Sequence, residues 1–248
     1  MKYPDELIDK IIEGDCLDIM PNIPDHSIDL ILCDLPYEIT ARNEWDSIIP
    51  FEPLWDEYSR VIKDNGVIVL TSWGKFSAQL ILSSKVKYQY SMVWIKPNHT
   101  NQLNAKKQPL RKHEDILVFY NNQPTYNPQG IRKKEELTKQ GKTATKNYGD
   151  VDRSPYFQEY ENYPTDLVYT KMSTSKSHPT EKPLELFSYL IKTYTNEGDI
   201  VMDNCVGSGT TAIAAYRLKR KFICMEKELE YYKIAVKRLD DVRNTLFS

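Results

Sequence analysis

The sequence is poor in several features that would each have pointed to a function. Its four cysteines, Cys16, Cys33, Cys205 and Cys224, include no CxxC pair. Neither a zinc knuckle nor a disulfide framework is therefore suggested, and each thiol reads as a small buried side chain. The four histidines, His26, His99, His113 and His178, lack metal-ligand spacing, so they read as structural or surface residues and no metal site is expected. No stretch approaches the roughly 20 apolar residues of a spanning helix. The opening Met1-Lys2-Tyr3-Pro4-Asp5-Glu6 lacks the charged-then-apolar layout of a secretion signal, so no membrane partner and a cytoplasmic location are expected. Glycine is also sparse, nine in 248 residues. The motifs GxGxxG and GxxxxGK[ST] are absent, which removes the main support for dinucleotide and nucleoside-triphosphate binding.

Apolar residues are present in quantity, at 40% of a chain long enough for one large domain with an insertion. The net charge of -2 conceals a polarised distribution. Between residues 96 and 176, fourteen Lys and Arg face nine Asp and Glu, a local +5 that leaves -7 for the remainder.

Short Ile- and Val-rich runs alternate with helical patterns. The runs are Ile8 to Ile12, Ile28 to Cys33, Val67 to Thr71, Tyr90 to Ile95, Ile116 to Tyr120, Ile200 to Met202 and Phe222 to Met225. Near-continuous apolar strands suit a parallel sheet covered on both faces. Residues 52 to 62, 75 to 84, 183 to 194, 210 to 219 and 227 to 244 carry apolar positions at helical spacing. The predicted class is α/β, doubly wound, mostly parallel, with helices on both faces of the sheet. Residues 121 to 177 break this rhythm, being polar and rich in Tyr, Asn, Lys, Gln and Pro; a stretch of that length reads as a functional insertion or a long loop.

Two constellations carry chemistry. Asp203-Asn204-Cys205-Val206-Gly207-Ser208-Gly209-Thr210-Thr211 lies between a strand and a helix expected to begin near Thr210. Its glycines allow a sharp turn close to a ligand, and helix-start amides and hydroxyls would face an anionic or polar group. Glu226 follows the run Phe222 to Met225, where a strand-end acid can accept hydrogen bonds from ribose hydroxyls. Together they fit an adenosyl cofactor that lacks a pyrophosphate. The second constellation, Asp34-Leu35-Pro36-Tyr37, directly follows a buried run, at the strand end where open α/β sheets bind ligands. An exocyclic base amine is a poor nucleophile, because its lone pair is delocalised into the ring. The Asp34 carboxylate and the Leu35 carbonyl can hold its hydrogens and turn the lone pair toward a methyl donor. Pro36 fixes the backbone between them. Tyr37 can stack on an extruded base, a contact worth about 1–3 kcal/mol by analogy with single-strand binding.

In these motifs and their order the sequence resembles the β class of amino-methylating DNA methyltransferases. In that family a catalytic tetrapeptide, written [DNS]PPY, precedes the target-recognition region, and the cofactor turn comes late, a circularly permuted motif order. Here Asp34 to Tyr37 comes first, a basic polar stretch follows, and His178-Pro179-Thr180-Glu181-Lys182-Pro183 leads into the Asp203 to Thr211 turn and Glu226. The resemblance implies S-adenosylmethionine as cofactor. It implies that Asp203, Gly207, Ser208, Gly209, Thr210 and Thr211 cradle the methionine half beside Asp34, that Lys182 lies near the cofactor carboxylate, and that Glu226 holds the ribose. Asp15 and Cys16 match the loop that contacts the cofactor adenine. Two departures stand out: Leu35 replaces the usual proline, and Asn204-Cys205-Val206 replaces Pro-Phe-x.

Residues 1 to 96 and 178 to 248 are accordingly expected to form the catalytic and cofactor-binding domain, with 97 to 177 as an inserted target-recognition region. In that region Lys106, Lys107, Arg111, Lys112, Arg132, Lys133 and Lys134 would neutralise phosphates of double-stranded DNA. They are interleaved with Tyr126, Tyr148, Tyr156, Phe157, Tyr160 and Tyr163. Trp45 and Trp55 read as core or lid packing. Asp at the first tetrapeptide position resembles the adenine-N6 subgroup, whereas Ser would point to cytosine N4. Ring-carbon methylation is disfavoured, because it needs a cysteine nucleophile, usually after proline, and no Pro-Cys occurs. The expected activity is site-specific transfer of a methyl group to adenine N6 of a flipped base. The alternatives are cytosine-N4 methylation, an RNA amine substrate, and a catalytically silent DNA-binding module. The resemblance also admits a homodimer and a cognate restriction endonuclease as partners.

Overall fold

The computed structural model describes residues 1–36, 48–140, 156–171 and 182–246, with residues 135–140 and 156–157 described by backbone alone. Two compact units emerge, one of Met1–Asn127 with Asp166–Ser248 and one of Pro128–Thr165.

The larger unit is built on an eight-stranded sheet. Its strands are β1 (Lys10–Glu13), β2 (Ile28–Cys33), β3 (Ile62–Ser72), β4 (Tyr88–Thr100), β5 (Arg111–Phe119), β8 (Leu167–Tyr169), β9 (Ile200–Asp203) and β10 (Lys221–Glu226). Their spatial order is β1-β10-β9-β2-β3-β5-β4-β8. Every pair from β1 to β3 is parallel. β5 then runs antiparallel to both β3 and β4, and β8 joins β4 in parallel. The helices are α1 (Cys16–Ile19), α2 (Phe51–Val61), α3 (Lys75–Ser83), α4 (Leu184–Tyr194), α5 (Thr210–Arg217) and α6 (Leu229–Leu246).

Period-two alternation makes the sheet two-sided. Ile31 and Cys33 of β2 join Ile68 and Leu70 of β3 in a layer covered by Leu54, Trp55 and Tyr58 of α2 and Leu80 of α3. Leu30, Leu32, Val67 and Val69 face the opposite layer, closed by Leu186 and Leu190 of α4, Ile213 of α5 and Leu239 of α6. Trp55 is wholly buried, with its ring edge-on to Tyr58 and Phe119 and its Nε1 donating to Ser83 Oγ at 3.0 Å. It is a core residue. All four cysteines are free, three of them buried and Cys205 partly so.

This winding positions the site. β2 and β9 are parallel neighbours, but the helices that follow them, α2 and α5, lie on opposite faces. This change of face between neighbouring strands marks a topological switch point, where open α/β sheets bind ligands.

The smaller unit pairs β6 (Arg132–Gln140) with β7 (Tyr156–Glu161) as an antiparallel ribbon, its register shifting between Lys133 and Thr138. Asn162, at positive φ, donates from Nδ2 to the Gly130 carbonyl at 2.6 Å and closes the base of the ribbon. The compact unit is narrower than the insertion expected from composition at 97 to 177, because the apolar residues Ile116 to Phe119 draw β5 into the main sheet. The first strand also begins later than expected: Asp9, at φ 59°, turns the chain, and pairing starts at Lys10. Among the described residues, no helix is long and apolar enough to cross a membrane.

Candidate active site

The turn after β9 is braced from within. Asp203 is buried, and its Oδ1 accepts from the Cys205 amide at 3.0 Å while its Oδ2 accepts from the Thr211 hydroxyl. Burial pushes the Asp203 carboxyl up to about 6 against these bonds. Gly207 and Gly209 have φ of 54° and 90°, which non-glycine residues rarely adopt. A Cβ on Gly209 would lie 3.0 Å from Ala235 Cβ, so α6 packs directly on the turn. Arg238 of α6 also donates to the Ser208 carbonyl at 2.5 Å. Thr211 is thus committed to bracing the turn, and Ser208 is buried within it.

The substitution of Asn204 for the family's proline has a structural reason. Its side chain is buried, accepts from the Tyr58 hydroxyl at 2.5 Å, and lies 3.5 Å from the Sγ atoms of Cys16 and Cys205. It fastens the turn to α2 and α1 on the opposite layer. Sequence reading did not single out Tyr58, which in the chain is only one more apolar helix position.

Glu226, at the end of β10, accepts from the Gly207 amide at 2.8 Å and from the Glu228 amide at 2.9 Å. Burial raises its carboxyl above the usual range even so. The Gly14 amide donates to the Glu226 carbonyl at 2.9 Å, which brings the Gly14-Asp15-Cys16 loop beside the same strand end. Asp15 caps α1 by accepting from the Leu17 amide at 3.0 Å and pairs with Lys227 at 3.1 Å. Asp15, Cys16, the glycine turn and Glu226 are thus brought into one region.

These residues suit an adenosyl cofactor. Among the described residues, the Thr210 hydroxyl is buried without a hydrogen-bond partner at the start of α5, which has no side-chain cap. Space is open where a Gly207 Cβ would sit. An anionic group would satisfy both the orphan hydroxyl and the free amides of the helix start.

Asp34 lies one strand away, just past β2. Its Oδ1 accepts from the Thr71 hydroxyl at 2.5 Å, and its Oδ2 pairs with Lys182 Nζ at 2.8 Å. The same ammonium reaches Glu114 Oε2 at 2.9 Å, and Lys96 pairs with Glu114 Oε1 at 3.1 Å. Two ammoniums and two carboxylates therefore alternate beside the end of β2. Lys182, Lys96 and Glu114 side chains are only 10%, 11% and 9% exposed, so solvent screens these pairs little. Burial pushes the Asp34 carboxyl up; the Lys182 ammonium pulls it back, and the net position stays above the usual range. Burial acts the same way on Glu114, but Lys182 and Lys96 outweigh it and hold that carboxyl low. Lys182, which the resemblance implies lies near the cofactor carboxylate, directs its ammonium to Asp34 and Glu114. Glu114, Lys96 and Thr71 are not legible as site residues in the chain, because a single charged or hydroxyl residue on a strand carries no motif.

Leu35 is buried in the α2 layer, and Pro36 is partly exposed. Tyr37 lies outside the described residues, as do Trp45, Tyr148 and the segment His178 to Glu181. Of the basic residues, Lys106, Lys107, Arg111 and Lys112 belong to the larger unit and Arg132, Lys133 and Lys134 to the ribbon.

A family model described as DNA methylase, covering the N6 and N4 methyltransferases, matches residues 28–237. The chain belongs to this family of DNA methyltransferases. The methyl donor of these enzymes is S-adenosylmethionine. The family member M2.MboI, a type II methyltransferase of Moraxella bovis, is 30% identical across 95% of this chain and 89% of its own. The DNA adenine methyltransferase YhdJ of Escherichia coli K12 is 28% identical across 93% and 82%. Among solved structures, the M1.HpyAVI complex with S-adenosylmethionine superposes with a TM-score of 0.66 at 23% identity, covering 93% of this chain and 98% of that one. The cytosine-N4-specific PvuII methyltransferase gives the same TM-score at 17% identity, over 95% and 91%. Both superpositions support the class I methyltransferase fold, with its mostly parallel sheet clad by helices.

Proposed function

We propose that this DNA methyltransferase acts on adenine N6 of a base turned out of duplex DNA, using S-adenosylmethionine bound at the glycine turn. The observation that carries this reading is the adjacency of Asp34 and the Asp203–Thr211 turn at the carboxyl ends of two neighbouring parallel strands. When bound, the cofactor supplies an electrophilic methyl group on a sulfonium. Gly207, Thr210 and the start of α5 hold its methionine end, Glu226 its ribose, and the Asp15–Cys16 loop its adenine. Asp34 and the Leu35 carbonyl accept the hydrogens of the target amine and aim its lone pair. Thr71 and Lys182 fix the Asp34 carboxylate in place from its other sides.

Adenine is favoured by aspartate at the first tetrapeptide position and by the adenine specificity named for YhdJ. The type II relatives favour a role beside a restriction endonuclease. The test is to incubate the protein with unmethylated bacterial DNA and methyl-labelled S-adenosylmethionine, then digest to nucleosides and weigh the labelled one. Label on N6-methyladenine is expected; label on N4-methylcytosine overturns the base. Asp34→Ala should abolish transfer while leaving cofactor affinity within about twofold, since the side chain meets the amine rather than the cofactor; an unchanged rate would refute its role.

A further inference from the structure

The chain between β4 and β5 reverses at the same edge of the sheet as the active site. Ser72 and Thr71 of β3 pair with Asp115 and Ile116 of β5, and Ile95 and Thr100 of β4 pair with His113 and Arg111. Residues 101–110 therefore project from the edge where Thr71 bonds Asp34. This loop is held out by its own bonds. Asn101, at φ 74°, starts a single helical turn, Gln102–Asn104; Asn104 Nδ2 donates to Asn101 Oδ1 at 2.7 Å, and the Lys107 and Gln108 amides donate to the Asn104 carbonyl at 2.8 and 3.0 Å. Leu103, in the middle of the turn, is 101% exposed, as open as in an isolated peptide. Lys106 and Lys107 beside it are exposed, and residues 97–113 contain no acid. At the foot of the loop the Arg111 guanidinium lies 3.5 Å over the Trp73 ring, two residues past Thr71, and its Nε is buried without a hydrogen-bond partner.

A base turned out for chemistry leaves a gap in the stack, and apolar side chains inserted from a protein fill such gaps. An apolar tip on a braced, purely basic loop that leaves the sheet at the same strand ends as the acceptor carboxylate has the chemistry for that task. The lysines neutralise flanking phosphates while the leucine enters the stack. We propose that Leu103 is the plug that occupies the space vacated by the target base in duplex DNA, with Lys106 and Lys107 seating the loop on the backbone. This deepens the proposed function and rests on it.

The test uses the intact protein and a short duplex carrying the methylated site, mapped by sequencing treated genomic DNA. A second duplex places a mismatch opposite the target base, so that opening the pair is already cheap. Leu103→Ala should lower kcat/KM on the paired duplex about tenfold or more and return near the wild-type value on the mismatched one. With 2-aminopurine at the target position, the fluorescence rise on binding should shrink for the variant. Equal losses on both duplexes, or no loss, would overturn the plug. An unchanged methylation rate with a change from dimer to monomer in sedimentation would assign Leu103 instead to contact between two copies of the chain. Wild-type protein that labels neither duplex fails the proposed function itself, so the two failures are separable.

Discussion

Replacing Lys182 by methionine removes one charge from the alternating cluster while preserving most of the side-chain volume. Asp34 then loses the ammonium 2.8 Å from its Oδ2 but keeps the Thr71 hydrogen bond. Glu114 keeps Lys96 and remains a nearby negative charge. Both changes disfavour ionisation of Asp34, so their signs agree. An opposite charge at this range typically lowers a carboxyl by about 1–3 units. The two side chains are 10% and 27% exposed, so most of that effect should survive solvent screening. The proposed acceptor role is strongest when Asp34 is ionised, since protonation turns one oxygen into a donor and weakens the other as an acceptor, so activity should fall as pH drops through its pKa. The acid limb of the single-turnover rate should therefore move upward by about 1–3 pH units in Lys182→Met, at saturating cofactor and DNA. Lys182→Arg should restore most of the limb. Cofactor affinity, measured by calorimetry, should change little. A profile that stays in place, or a cofactor Kd that weakens in step with the rate, would refute this role and return Lys182 to the cofactor carboxylate.

Three further outcomes follow from the turn. Gly209→Ala would force a Cβ to within 3.0 Å of Ala235 at φ 90°, and should cost about 1–3 kcal/mol in urea unfolding together with weaker cofactor binding. Tyr58→Phe would leave the Asn204 Oδ1 without its donor in a buried setting, a loss of about 1–3 kcal/mol by the same measurement. Asp203 has its folded-state pKa raised from 3.8 to about 6, so the native state binds the extra proton and the stability this gives is fully present below 3.8. That contribution should be lost as pH rises from 3.8 to about 6, on the order of 3 kcal/mol at roughly 1.4 kcal/mol per unit. Subtracting the pH-stability curve of Asp203→Asn from that of the wild type isolates it, and a flat difference would refute the assignment.

What could be read from the chain followed the physics that leaves a local trace. The apolar run Ile28 to Cys33 and the spacing of Leu54, Trp55, Tyr58 and Val61 announce a doubly covered strand and an amphipathic helix, and both form where expected. The glycine turn and Glu226 were legible because strand, turn and helix leave consecutive marks. The Lys96–Glu114–Lys182–Asp34 cluster was not, since its members come from four separated segments and meet only through sheet register. The ribbon of β6 and β7 was likewise hidden: Arg132 to Gln140 is rich in Lys and Glu, which local propensity assigns to a solvated helix face, yet its backbone pairs as a strand.

The sheet order also dictates how the protein can be made. β1 and β2 are the first two strands of the chain, yet β10 and β9, the last two, lie between them. A nascent chain that has not reached residue 200 holds β1 without a sheet partner and β2 paired on one side alone. The gap cannot close early, because the strands that fill it are made after both of its flanks. The proposed methyl-donor site therefore assembles only once β9 and β10 have been made, and a polypeptide stopped before β9 carries Asp34 on a sheet without the Asp203–Thr211 turn beside it.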